Sequence, residues 1–122
     1  MAGPMIYPIF VFLIGLEHIG FALLETYFWD RPLGRKIFRT SPEFAAQSKA
    51  LAANQGLYNL FLAAGLLLSF FLDSSSGHSF RFFFLGSVFV AGMFGGYTVN
   101  KRIFFFQGIP AGFALFFLVL GL

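Results

Sequence analysis

The chain has 122 residues, of which 58% are hydrophobic and only 11% are charged, and its formal net charge is +3. A soluble domain of this length could not bury so large an apolar fraction, so the composition excludes an ordinary globular enzyme or binding domain. The absence of cysteine excludes a disulfide framework, a thiol nucleophile and a cysteine metal site. With two histidines in the chain, we expect neither a metal centre nor a cofactor.

The apolar residues are gathered into four runs, each close to the length of about 20 helical residues that crosses a bilayer. They predict transmembrane helices over residues 9–29, 51–72, 80–99 and 103–122. The first run lacks the basic start and cleavage site of a secretory signal, so we expect it to be retained. The predicted fold is therefore an all-α membrane protein, with residues 1–122 forming a single domain in which four helices make an up-down bundle.

Positive charge is concentrated between the predicted helices. Segment 30–50 holds Arg31, Arg35, Lys36, Arg39 and Lys49, and the third connection holds Lys101 and Arg102. The positive-inside rule then places both connections in the cytoplasm and both termini outside, N-out and C-out. Because this topology explains the net charge, we expect the partner to be the lipid bilayer, and we do not expect the protein to bind nucleic acid.

Local signals mark two helix boundaries. Ser41-Pro42-Glu43 has the pattern of an N-cap, a proline in the first turn and an acidic residue beside it, so the second helix is predicted to begin near Pro42. The polar segment 73–79 is predicted to be a short outer turn between the second and third helices.

Polar side chains occur inside the predicted spans, where they are costly. At 100° per residue, Glu17, His18 and Glu25 fall on an arc of roughly 100° of the first helix. The second helix carries several polar residues in its cytoplasmic half, and the fourth begins near a glutamine. The predicted intramembrane pocket is thus lined by Glu17, His18, Glu25, Asn54, Gln55, Tyr58, Asn59 and Gln107.

Three functions fit this pattern. We favour a transporter or binding protein for a small solute or a proton, because the polar residues cluster toward the cytoplasm and His18 can titrate near neutral pH. An intramembrane enzyme would use His18 and a glutamate as acid and base on a lipophilic substrate, an alternative we rank lower. In a structural or accessory subunit of a larger complex, the same residues would hold helices together.

Small residues suggest how the helices pack. Gly92 and Gly96, like Gly108 and Gly112, have the four-residue spacing that lets helices approach closely, which favours packing of the third helix on the fourth over dimerisation. Pro110 is expected to kink the last helix beside Gln107. The match of Gln55-Gly56-Leu57 with Gln107-Gly108-Ile109 hints at a parallel two-helix repeat.

Several sequence blocks are similar to a known family. They are Leu16-Glu17-His18, Leu24-Glu25 followed by Trp29, and above all the stretch from Ala53 to Asn59, Ala-Asn-Gln-Gly-Leu-Tyr-Asn. The chain resembles the small bacterial membrane proteins of domain-of-unknown-function family 1304. The resemblance implies four transmembrane helices and a multi-pass location in the bacterial inner membrane, and it assigns no activity. We expect a homo-oligomer or an assembly with other membrane subunits, because four short helices rarely enclose a full pathway.

Overall fold

A computed structural model describes residues 3–122 and shows only helices and turns within that range. The elements are α1 (Tyr7–Tyr27), α2 (Pro32–Phe38), α3 (Pro42–Leu68) with a 3₁₀ turn (Ser69–Phe71), α4 (Ser74–Thr98), α5 (Lys101–Ile103), a π-helical segment (Phe104–Gly108) and α6 (Ile109–Leu120). Four stretches are long and apolar enough to cross a membrane, namely Tyr7–Tyr27, Pro42–Phe71, Ser74–Thr98 and Lys101–Leu120. The all-α class and the four potential membrane spans are confirmed.

The prediction that the second long helix begins near Pro42 is confirmed. α3 begins at Pro42, and the Ser41 hydroxyl accepts a hydrogen bond from the Phe44 backbone N–H at 3.1 Å. This bond satisfies one of the amide groups that the first helical turn leaves without a partner.

The prediction of a turn over residues 73–79 is wrong, because α4 begins at Ser74 and not near Phe80. Asp73 caps the helix, and its Oδ1 accepts hydrogen bonds from the backbone N–H groups of Ser75 at 3.1 Å and Ser76 at 3.0 Å. Hydrogen bonds from Ser76 lower the pKa of the exposed Asp73 carboxyl below its usual range. The cap offsets the weak helix preference of the serines and glycine that follow.

Two further boundaries differ from the sequence expectation. α1 runs from Tyr7 to Tyr27, so Trp29 lies in the turn after the helix and not inside it. The basic segment 30–50 contains a helix that was not predicted, α2, with Pro32 in its first turn. Arg39 ends this helix in the left-handed conformation, with φ of 56°.

The chain divides into two compact units, and each is described by itself. The first unit comprises residues 16–63. Its buried positions hold small or polar side chains in place of large apolar ones; they are His18, Ala22, Glu25, Gly34, Ala45, Ala52, Gly56, Asn59 and Ala63. Small side chains allow helices to approach closely. The interior of this unit is therefore narrow and contains three side chains capable of hydrogen bonding or charge.

The second unit comprises residues 64–122 together with the N-terminal segment up to Gly15. Its interior is mainly apolar, with buried Val11, Ile14, Leu66, Leu85, Val88 and Leu118, and it also contains the buried polar residue Ser69. The backbone N–H of Tyr7 donates to the carbonyl of Leu122 at 2.9 Å, so the two ends of this unit meet. Arg81 donates from Nη2 to the carbonyl of Ser69 at 3.0 Å, which places a cation beside the carboxyl end of α3, where the 3₁₀ turn begins.

Glycines bring α4 against the π-helical segment inside this second unit. A β-carbon added at Gly92 would collide with the backbone nitrogen of Gly108, and one added at Gly96 would lie 2.6 Å from Cβ of Phe104. The prediction that these glycines serve internal packing is confirmed. The expected irregularity near Pro110 takes the form of the π-helical segment, in which the Ile109 N–H donates to the Phe104 carbonyl.

Candidate functional site

A buried hydrogen bond joins α1 and α3 inside the first unit. The Asn59 side-chain amide donates from Nδ2 to Oε1 of Glu25 at 2.7 Å. Glu25 is 7% exposed and Asn59 is 4% exposed, so the pair is shielded by the protein itself. The other carboxylate oxygen, Oε2 of Glu25, is also buried and has no hydrogen-bond partner among residues 3–122. One oxygen of a buried carboxylate thus has no hydrogen-bond donor in the described part of the chain.

Gly56 explains how Asn59 reaches Glu25. A β-carbon at position 56 would lie 2.5 Å from the Thr26 hydroxyl, 3.0 Å from the Ala22 carbonyl oxygen and 3.4 Å from the Glu25 β-carbon. A larger residue would push α3 away from α1 at the level of the hydrogen bond. Gly56 is therefore a positioning residue for this site, whereas the sequence pattern indicates it only as part of a possible repeat.

A second polar group lies two turns earlier on α1. Oε1 of Glu17 is 4.0 Å from Nδ1 of His18, and this Glu17 oxygen is buried without a hydrogen-bond partner in the described part of the chain. The His18 ring is completely buried and lies edge-on to Phe21, with 5.4 Å between the ring centroids. The pair is an ion pair only when His18 is protonated, so its charge depends on the proton occupancy of the site.

The remaining predicted residues have different surroundings. Tyr58 is 54% exposed, and Asn54 and Gln55 are exposed as well, so these three side chains lie on the outer side of α3. Gln107 belongs to the second unit, where it is partly buried in the π-helical segment and has interactions of its own. The described geometry thus brings Glu25 and Asn59 together and places Glu17 beside His18. A shared pocket for all eight residues stays a prediction.

The buried groups are suited to binding protons, cations or hydrogen-bond donors. Two carboxylate oxygens, Oε2 of Glu25 and Oε1 of Glu17, have no donor within the described residues. Such oxygens accept hydrogen bonds or bind positive charge, and leaving them unmatched in a low-dielectric interior is costly. No cluster of three histidine or carboxylate side chains with the geometry for a metal occurs within residues 3–122.

Four apolar helices of spanning length define a multi-pass membrane protein. More specifically, this chain belongs to the family described as protein of unknown function DUF1304, whose sequence profile matches residues 12–119. It is similar to the uncharacterized protein YpaA of Lactococcus lactis subsp. lactis, with 30% identity over 105 residues that cover 84% of this chain and 87% of the relative. No solved structure matches the chain.

Proposed function

We propose that this protein binds a small polar solute or a proton inside the membrane and carries it across, as a small-solute or proton-linked transporter. The observation that supports this proposal is the Glu25–Asn59 hydrogen bond at 2.7 Å, with the second carboxylate oxygen of Glu25 buried and unsatisfied. Ionisable side chains within membrane spans are rare and are usually retained for transport, proton relay or ligand binding.

The arrangement of groups favours binding over simple structural adhesion. A side chain that only held two helices together would be expected to satisfy both of its oxygens, because a half-satisfied buried group weakens packing. Glu25 satisfies one oxygen, and Glu17 likewise has a buried oxygen without a donor among the described residues. A proton, a cation or a hydrogen-bond donor of a solute, bound separately at each oxygen, would satisfy the two positions.

The topology proposed with this function has one four-helix domain in the bacterial inner membrane, with both termini outside. It is supported by the distribution of Lys and Arg, since segment 30–50 and residues Lys101 and Arg102 would face the cytoplasm. Glu25 lies two residues before the end of α1 that leads into segment 30–50. With this topology the unsatisfied carboxylate of Glu25 would lie near the cytoplasmic side of the membrane.

The alternative of an accessory subunit is favoured by a different observation. All 21 phenylalanines lie within the described residues, and none of them is buried. Many rings, such as Phe71 at 86% exposure, therefore face lipid or other protein chains. Aromatic surfaces of this kind can dock another membrane subunit as well as contact lipid.

The proposal is tested by comparing wild type with Glu17→Gln and Glu25→Gln, using Glu43→Gln as the control. Glu43 is an exposed carboxylate in the first turn of α3, so its neutralisation matches the change in charge without touching the buried groups. We expect a cation or metabolite to raise the melting temperature of wild type and of Glu43→Gln in detergent, because a ligand that binds only the folded state stabilises it. Glu25→Gln and Glu17→Gln should fold but lose this response, and Glu17→Gln should abolish proton-linked flux in proteoliposomes.

Two results would contradict transport. In the first, flux is unchanged when Glu17 and Glu25 are both neutralised. In the second, no compound in a panel of cations and small metabolites, tested across pH, shifts the melting temperature, while both glutamate variants lose stability. The second result would identify the polar groups as structural and would favour the accessory-subunit function.

A further inference from the structure

Four basic residues lie within the short helix α2 or directly beside it. Arg31 precedes its first residue, Arg35 and Lys36 lie within it, and Arg39 follows its last residue. Arg31, Lys36 and Arg39 are exposed, whereas Arg35 is partly buried. This segment of nine residues carries half of the eight basic residues of the chain.

No acidic side chain in the described part of the chain forms an ion pair with these four residues. The neighbouring acid, Asp30, is bound by Lys49, with 3.0 Å between Oδ2 and Nζ. The hydrogen bond from Lys49 lowers the pKa of the Asp30 carboxyl, which therefore stays ionised and engaged with that lysine. Arg31 also attracts the Asp30 carboxylate electrostatically, but among residues 3–122 no carboxylate lies within ion-pair distance of the four basic residues around α2.

The backbone that carries these cations is held firmly against the end of α1. Gly34 packs so closely on the carbonyl of Phe28 that a β-carbon could not be accommodated. The Trp29 ring packs on Phe38, with 4.8 Å between centroids, and its Nε1 donates to the Ser48 hydroxyl at 3.0 Å. The backbone that carries the four basic residues is therefore fixed by packing against neighbouring residues.

Two buried groups in and beside this segment could each donate a further hydrogen bond. Nε of Arg35 and the hydroxyl of Thr40 are buried and have no partner in the described residues. The backbone N–H of Thr40 donates to the carbonyl of Arg35 at 3.1 Å, so the two residues belong to the same turn. A ligand for this segment should be anionic and carry several acceptor oxygens.

We propose that Arg31, Arg35, Lys36 and Arg39 bind the phosphodiester headgroup of an anionic phospholipid. Guanidinium groups match phosphate oxygens in charge and geometry. A lipid fits better than a free anion because Leu33 on the same helix is 50% exposed, and Tyr27 at the end of α1 is 64% exposed. Apolar and aromatic side chains beside cations are typical of the boundary between headgroups and acyl chains.

The test uses the purified full chain in detergent and measures lipid binding by native mass spectrometry. Phosphatidylglycerol is compared with phosphatidylcholine of the same acyl chains, because the two share a phosphate and differ in net charge. We expect wild type to bind phosphatidylglycerol at least about tenfold more tightly. Each basic residue near an anionic surface contributes about fivefold to binding, so Arg31→Gln/Lys36→Gln should lower the affinity for phosphatidylglycerol by roughly 25-fold.

The matched control is Lys101→Gln/Arg102→Gln, which also removes one lysine and one arginine from a connection predicted to be cytoplasmic. This control should keep the preference for phosphatidylglycerol within about threefold of wild type. If Arg31→Gln/Lys36→Gln does not yield folded protein, the exposed Arg39→Asn variant provides the comparison, since asparagine tolerates the left-handed conformation at this position. A loss of about fivefold is expected for that single change.

Three results would overturn the proposal. Equal binding of the two lipids by wild type would show that the headgroup charge is not recognised. An equal loss in the control would show that net charge alone matters and that α2 holds no site. Displacement of phosphatidylglycerol by millimolar inorganic phosphate would assign the segment to a soluble anion.

Discussion

Asn59 and Asn54 lie on the same helix and look equivalent in the sequence, yet they have opposite surroundings. Asn59 is 4% exposed and donates to Glu25, whereas the side chain of Asn54 is exposed. Five residues separate them, and five residues turn a helix by roughly 500°, or about 140° net. Because the two side chains point to different sides of α3, only Asn59 can donate a hydrogen bond to the buried Glu25 carboxylate.

We expect Asn59→Leu to lower the free energy of unfolding by about 1–3 kcal/mol, because it leaves a buried carboxylate oxygen without its donor. The measurement is denaturant-induced unfolding in detergent, followed by circular dichroism. Asn54→Leu is the control, with the same change on the same helix at an exposed site, and it should alter stability by no more than about 0.5 kcal/mol. Equal losses in the two variants would contradict the assigned role of Asn59.

The sequence identified Glu25 and Asn59 as candidates but could not show that they pair. Helix α3 is apolar on most sides, with polar residues at several angles, so its hydrophobic pattern does not reveal which side faces the interior. Only the approach of α1, permitted by Gly56, selects Asn59 over its neighbours Asn54, Gln55 and Tyr58.

At the scale of elements, capping residues next to each boundary determine where α3 and α4 begin. The Ser41 cap was readable because serine, proline and glutamate occupy the positions that favour a first turn. The Asp73 cap had an equally local signal, an aspartate followed by serines. The low helix preference of residues 74–79 predicts a turn there, but the Asp73 cap offsets that preference and the helix begins at Ser74.

The contact of α4 with the π-helical segment depends on the absence of a side chain at Gly92. We expect Gly92→Ala to cost about 1–3 kcal/mol in unfolding free energy, because the added methyl group would force two backbones apart. Gly86→Ala on the same helix is the control, since a β-carbon there meets no atom within 4 Å. That variant should be neutral or more stable by up to about 1 kcal/mol.

Thermal unfolding of the two alanine variants in the same detergent measures this difference. If Gly92→Ala were as stable as wild type while Gly86→Ala were destabilised, the close contact of α4 with the π-helical segment would not be what stabilises their packing.

At the scale of the whole molecule, polar side chains on the exposed side of α3 point to association between copies. Asn54, Gln55 and Tyr58 lie within a stretch of spanning length, where exposed amides gain from hydrogen-bonding partners. An amide both donates and accepts, so the same residue on a second copy is a suitable partner. We propose that two copies of the chain meet along this side of α3.

Because the natural chain has no cysteine, single substitutions report on this association without background. We expect Asn54→Cys to form a disulfide-linked dimer in native membranes under mild oxidation, as measured by non-reducing gel electrophoresis. Phe94→Cys is the control, an exposed position on α4 in the half of the membrane predicted to be cytoplasmic. Equal cross-linking at both positions, or none at Asn54→Cys, would contradict pairing through α3.

The amino-acid composition and the order of residues along the chain were sufficient to determine that this is an all-α membrane protein with four helices of spanning length. The reason is physical, since a run of about 20 apolar residues has few stable environments other than a bilayer. The blocks around Glu17 and Asn54 also sufficed to indicate the family. Tertiary structure decided which polar residues are buried, because burial depends on how closely two helices approach. Gly56 sets that approach for Glu25 and Asn59, and no periodicity in the sequence reveals that Gly56 contacts α1. The glycine spacings at Gly92 and Gly108, by contrast, did predict that the third span packs on the fourth.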